Sequence, residues 1–211
     1  MKAPKPYYFH SWWAGQEVAI LASGPSLEVT DLSPLRAVRV AAINTSYYYY
    51  DKADFVFTGG YQFFERHPYN WGGPLIIADK RAWQKDLVPC KHATFVAPGR
   101  HDGLEPRRDH VSGRWSSVNQ CISLMAHCGV SKIILVGLDL SPGDGRQRRA
   151  GHDEIDTPDA EERYGRMLGN LKTMIKPLAE RKIKVINATP VNKTPWWPSM
   201  TLREAIDYGR D

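Results

Sequence analysis

Ser117-Val-Asn-Gln-Cys-Ile-Ser-Leu-Met-Ala-His-Cys-Gly129, followed by Val130-Ser-Lys-Ile-Ile-Leu-Val136, is the stretch from which the fold can be read. Apolar residues at 118, 121, 122, 124 and 125 make a helical stripe, and Gly129 stands where a helix ends in a left-handed residue. The apolar run 132–136 then reads as a buried strand. Outward from this unit, short apolar runs at 17–22, 38–43, 54–57, 75–78, 94–96 and 183–186 read as further strands. An amphipathic segment covers 158–181, and 201–208 reads as a terminal helix with Thr201 as N-cap and Glu204 three residues on. Strands that are apolar throughout and alternate with helices imply a parallel sheet covered on both faces, an α/β fold.

The 211 residues fit one domain spanning 1–211. Hydrophobic residues at 42% and charged residues at 24% exclude global disorder. No apolar run approaches the ~18 residues of a membrane span, so no membrane partner is expected. The N-terminus has no apolar segment of the secretory type. Three cysteines, Cys90, Cys121 and Cys128, without CxxC spacing suit a reducing compartment, and the cytoplasm is the expected location. A net charge of +5 favours an anionic partner such as a nucleotide or nucleic acid.

In doubly wound sheets ligands bind at the carboxyl ends of the strands, where the strand order switches. The residues just after the strands therefore carry the candidate chemistry. Ser23-Gly24-Pro25-Ser26 forms either a phosphate-cradling turn or an ordinary strand-to-helix turn. It is neither a GxGxxG nor a Walker loop. Asn44 ends the second strand where a Rossmann-like unit reaches the ribose or base, or else simply forms a turn. Ser116 and Ser117 cap the start of the central helix, and with Asn119 and the neighbouring Arg114 they make an anion site plausible. Asp139 places a carboxylate at the ligand edge, and His152, in the following Gly-rich loop, is the candidate general base. Tyr47, in the run 47–50, is a candidate to stack on a base or sugar; Trp12, Trp13, Trp196 and Trp197 read as covers of the sheet edge. The polar stretches 98–115 and 141–157 are expected to form lid loops flanking the ligand edge. Histidines 92, 101 and 110 lack zinc-site spacing, and no Asp-x-Asp occurs, so no metal is expected.

Taken in order, Val18-Ala-Ile-Leu-Ala-Ser-Gly-Pro-Ser-Leu27, Ala42-Ile-Asn44, the helix ending Ala126-His-Cys-Gly129 and Ile133-Ile-Leu-Val-Gly-Leu-Asp139 resemble a superfamily. It contains the bacterial CMP-sialic-acid-type sialyltransferases and the 6-hydroxymethylpterin diphosphokinase-like proteins, and small phage members look most similar. The resemblance spans about 17–190. It implies a single Rossmann-like domain in which Ser23, Gly24, Ser26, Asn44 and Ser117 hold a nucleotide, although Val118 stands where the family has glycine. It further implies metal-independent transfer with His152 as base and Tyr164 on the leaving phosphate. The expected function is a glycosyltransferase that takes a nucleotide-sugar as donor substrate and needs no cofactor. Its acceptor would be a hydroxyl, with double-stranded phage DNA carrying a modified base as the candidate and the host cytoplasm as the setting. The alternatives are an ATP-dependent diphosphokinase of the pterin type, with Mg²⁺ on Asp139, and a non-catalytic nucleotide-binding or virion-associated protein.

Overall fold

The computed structural model describes residues 4–67, 69–89, 92–99, 103–112, 116–140 and 160–210. The strands are β1 (Glu17–Leu21), β2 (Arg39–Ile43), β3 (Phe55–Thr58), β4 (Leu75–Ile77), β5 (Ala93–Phe95), β6 (Ala97–Pro98), β7 (His110–Val111), β8 (Lys132–Val136) and β9 (Lys184–Asn187). The helices are α1 (Gln62–Arg66), α2 (Arg81–Gln84), α3 (Ser117–Cys128), α4 (Ala160–Thr173), α5 (Ile175–Glu180) and α6 (Leu202–Asp207). Seven strands make one all-parallel sheet in the order β5-β4-β3-β2-β1-β8-β9. The chain winds outward from β1 to β5, then returns to place β8 on the other side of β1. The protein is thus an α/β, Rossmann-like domain with its switch point between β1 and β8.

Each face of the sheet carries its own core. On one face, Ile122 and Met125 of α3 pack with Ile20, Phe57, Leu171 and Met174; on the other, Leu202 and Ile206 of α6 pack with Ile134, Val136 and Leu35. The central helix has the ends its sequence foretells. The Ser116 hydroxyl accepts from Val118 N at 3.2 Å, and Gly129 closes the helix at φ 79°. At α6 the Thr201 and Glu204 side chains each accept the other's backbone N–H.

Two local expectations change. The segment 158–181 is broken into α4 and α5 at Met174, because Pro177 has no N–H to donate and its ring crowds the carbonyl of Thr173. The stretch 98–115 is not simply a loop: β7 pairs with β6, and its described part packs on α3, where His127 Nε2 meets the His110 carbonyl at 3.0 Å. Cys121 and Cys128 are buried free thiols whose ionisation burial opposes, Cys128 being pushed up to about 12, so neither is a reactive thiolate. Cys90 lies outside the described residues. No described helix is long and apolar enough to cross a membrane. The outer edge of β5 is closed by Tyr7, whose N–H donates to Phe95 O at 2.8 Å.

A buried cation fastens α6 to the sheet. Lys132, 2% exposed, donates from Nζ to the carbonyls of Ile206 at 3.0 Å and Tyr208 at 2.9 Å, and pairs with Glu17 at 2.8 Å. Arg210 grips the other oxygen of Glu17. Burial raises the Glu17 pKa, but hydrogen bonds from Arg210 and Lys132 outweigh it and leave the carboxyl below its usual range. Lys132→Met strands two carbonyls at a helix end and removes a buried partner, so urea denaturation is expected to show a loss of roughly 3 kcal/mol.

His127 gives the fold an acid-sensitive point. Burial first, then the nearby Arg181 and Arg108 charges, push its pKa from 6.5 down to about 4, against the upward pull of the His110 bond. The unfolded chain therefore takes up this proton more readily than the folded one. Stability is whole above pH 6.5 and falls as the pH drops from there toward 4, by about 3 kcal/mol at the end of the window. Denaturation curves across that range should be steeper in pH for the native chain than for His127→Gln.

Candidate functional site

Parallel strands all end at the same edge, so the segments after β1, β2 and β8 meet there. They enclose a cavity of about 340 Å³ together with the N-terminus of α3 and one face of α4. Of the residues singled out in the sequence, Ser23, Gly24, Pro25, Asn44, Ser116, Ser117, Asp139 and Tyr164 line it. The volume lies in the range of small-ligand sites.

The floor of the cavity is a lattice of hydrogen bonds joining the segments after β1 and β8. Gly24 N donates to Gly137 O at 2.8 Å. Asp139, 4% exposed, accepts at Oδ2 from both the N–H and the hydroxyl of Ser26, at 3.2 and 2.9 Å. Leu138 N donates to Thr189 Oγ1 at 2.9 Å, which ties the segment after β8 to that after β9. Gly24 is required here for space: its φ is −74°, but a Cβ would run into Asp139 Oδ2 and Gly137 O. Gly137, at φ +72°, needs glycine for conformation and for contact with Leu27.

Several candidates have structural partners. The Ser23 hydroxyl donates to Ile43 O at 3.1 Å, and the Ser46 hydroxyl donates to Leu21 O at 2.8 Å, so β1 and β2 are pinned together at the rim. Ser117 Oγ accepts from Gly59 N at 3.1 Å, which fixes the start of α3 above β3. Ser26 supports the turn from behind the cavity wall. Asn119 is fully buried and does not line the cavity. Tyr47 sits apart as well: its hydroxyl donates to Asn70 Oδ1 at 3.0 Å and its ring packs on Tyr48, Tyr69 and Trp71. None of the described residues of 98–115 lines the cavity. His152, Arg114 and the stretch 141–157 lie outside the described residues.

What remains turned toward the cavity is mostly donor chemistry. Asn44 holds φ +51°, a strained conformation that asparagine tolerates, and its carboxamide makes no hydrogen bond to a described residue. Leu140, at φ +47°, is a second strained lining residue. The start of α3 presents the positive end of a twelve-residue helix. Arg163 and Met167, one turn apart on α4, complete the wall beside Tyr164. Burial, and less so the Asp139 charge, raise the Tyr164 pKa against the lowering effect of Arg163, which keeps the phenol a proton donor at neutral pH. Arg163 was missed in the sequence, where nothing sets it apart from the other arginines of 158–181; only the crossing of α4 over the edge brings it in.

No family model matches the chain and no curated protein matches it, so the site rests on its own geometry.

Gly24→Ala is expected to displace the turn and cost about 1–3 kcal/mol of stability in urea denaturation, as overpacking does. Gly72→Ala, where a Cβ meets nothing within 4 Å, is the control and should change stability by less than about 0.5 kcal/mol.

Proposed function

We propose that the protein binds a nucleotide-sugar in this cavity and transfers the sugar to a hydroxyl acceptor. One observation carries the reading. The Gly24 turn, the uncommitted Asn44 carboxamide and the N-terminus of α3 converge at the strand-order switch, the combination that receives ribose and phosphate in doubly wound folds. The resemblance to the sialyltransferase-type superfamily agrees with it.

In the reaction, the acceptor oxygen attacks the anomeric carbon, the bond from that carbon to phosphate oxygen breaks, and a nucleoside phosphate departs. The backbone amides at the start of α3, the Arg163 guanidinium and the Tyr164 hydroxyl would meet the growing charge on the phosphate. Asp139, the carboxylate at the ligand edge, would position the phosphate turn through its bonds from Ser26. The acceptor proton falls to a base, for which His152 is the sequence candidate. An anionic acceptor such as DNA bearing a hydroxylated base suits the net charge of +5.

The diphosphokinase alternative calls for Mg²⁺ held near the phosphates. Asp139 is the one carboxylate among the described lining residues, and its Oδ2 already accepts two bonds from Ser26. That donor set favours the alternative less than glycosyl transfer.

A thermal-shift panel of CMP, UDP, GDP and ATP, with and without Mg²⁺, tests the reading. A nucleoside mono- or diphosphate at 100 times its Kd should stabilise by about 2.7 kcal/mol, roughly 5–10 °C, without metal. A response to ATP that requires Mg²⁺ would instead select the diphosphokinase, and no response to any nucleotide would overturn nucleotide binding.

A further inference from the structure

The amino edge of the sheet, opposite the nucleotide cavity, holds a second and larger concavity. β1, β2, β3 and β8 all begin at that edge, at Glu17, Arg39, Phe55 and Lys132. The segments leading into them, together with the chain after α6, enclose about 830 Å³. The charged lining consists of four cations, Arg36, Arg39, Lys52 and Arg210, against two carboxylates, Glu17 and Asp54. The neighbouring Asp31 and Asp51 are not part of it.

Both carboxylates are already engaged. Asp54 accepts from Arg39 Nη1 at 2.8 Å and from Val40 N at 2.7 Å. Glu17 meets Lys132 at 2.8 Å with one oxygen and Arg210 with the other. These bonds orient two guanidiniums without exhausting them. Arg39 also donates from Nε to Gln16 Oε1 at 3.0 Å, and Arg210 donates from Nε to Glu17 at 3.0 Å and from Nη2 to Ala37 O at 3.4 Å. Arg39 Nη2 and Arg210 Nη1 are left without a hydrogen bond to a described residue. Arg36 and Lys52 form no salt bridge among the described residues. The cavity therefore holds a surplus of positive charge and of N–H donors.

We propose that this cavity binds a small polyphosphorylated molecule, its phosphates held by Arg36, Lys52 and the spare nitrogens of Arg39 and Arg210. A concavity lined by an excess of one charge concentrates its field on a multivalent counter-ion. Guanidinium–phosphate hydrogen bonds are charge-assisted. Four cations carried by separate segments call for acceptors that point several ways: a phosphate offers three terminal oxygens, whereas a carboxylate offers two in one plane. The volume is that of a small-molecule site. This inference does not depend on the nucleotide-sugar reading.

Isothermal titration of the full chain with inorganic tripolyphosphate, at about 0.15 M salt, tests it. Saturable binding is expected. Combined Arg36→Gln and Lys52→Gln, at two exposed positions, should weaken it at least about tenfold, the worth of one charge-assisted hydrogen bond. Combined Arg36→Lys and Lys52→Arg, which keeps both charges, should still bind. Arg163→Gln, at the opposite edge, should bind tripolyphosphate as the native chain does; a loss there would place the anion in the nucleotide cavity and overturn the assignment. The absence of saturable binding, unchanged affinity in the Arg36→Gln, Lys52→Gln variant, or equal affinity for citrate would each overturn it too.

Discussion

The pairing of β1 with β8 is the constraint on which the rest of the molecule depends. These two strands lie side by side over five rungs, from Glu17 opposite Lys132 to Leu21 opposite Val136. The lowest rung is an ion pair that also holds the end of α6. Past the top rung the ladder continues as Ala22 N to Val136 O and Gly24 N to Gly137 O, and it ends where Ser26 meets Asp139. One ladder therefore serves two purposes. Its lower end anchors a helix, and its upper end shapes the floor of the cavity.

That sharing explains why so little of the lining is free to vary. A side chain at Gly24 collides with Asp139, and one at Gly137 collides with Leu27. The serines that pin β1 to β2 use their hydroxyl protons to do so. The rest of the lining comes from the periphery: Asn44, the start of α3, and Arg163 and Tyr164 on α4. Asn44 and Leu140 carry positive φ angles there, a local strain of order 1–3 kcal/mol that the packed strands around them sustain.

Features set by nearest neighbours were legible in the sequence. The Ser116 and Gly129 ends of α3, the capping box at Thr201 and Glu204, and the apolar strands all follow from a few consecutive residues. The turn at Gly24, Asn44 and the switch-point rule together located the cavity. Properties set by distant neighbours were not legible. Whether the Ser23 hydroxyl faces a ligand or Ile43 O depends on a strand 20 residues away. Asn119 lies one helical step past Val118, which lines the cavity, and that step of about 100° turns it into the protein interior. Tyr47 follows Asn44 by three residues, yet its hydroxyl is claimed by Asn70. The break within 158–181 was present in the letters as Pro177, and amphipathic periodicity alone did not weigh it.

The clamp around Lys132 has a consequence for how the chain acquires its structure. Arg210 and Glu17 are separated by 193 positions, and Lys132 and Ile206 by 74. Closing such spans costs chain entropy before any contact repays it, and folding rates fall as contacts become less local. The Lys132 ammonium finds its carbonyl partners only once α6 has arrived. The central strands thus carry the distant helix at their lower end and the ligand edge at their upper end, so contacts between residues far apart in the chain hold both.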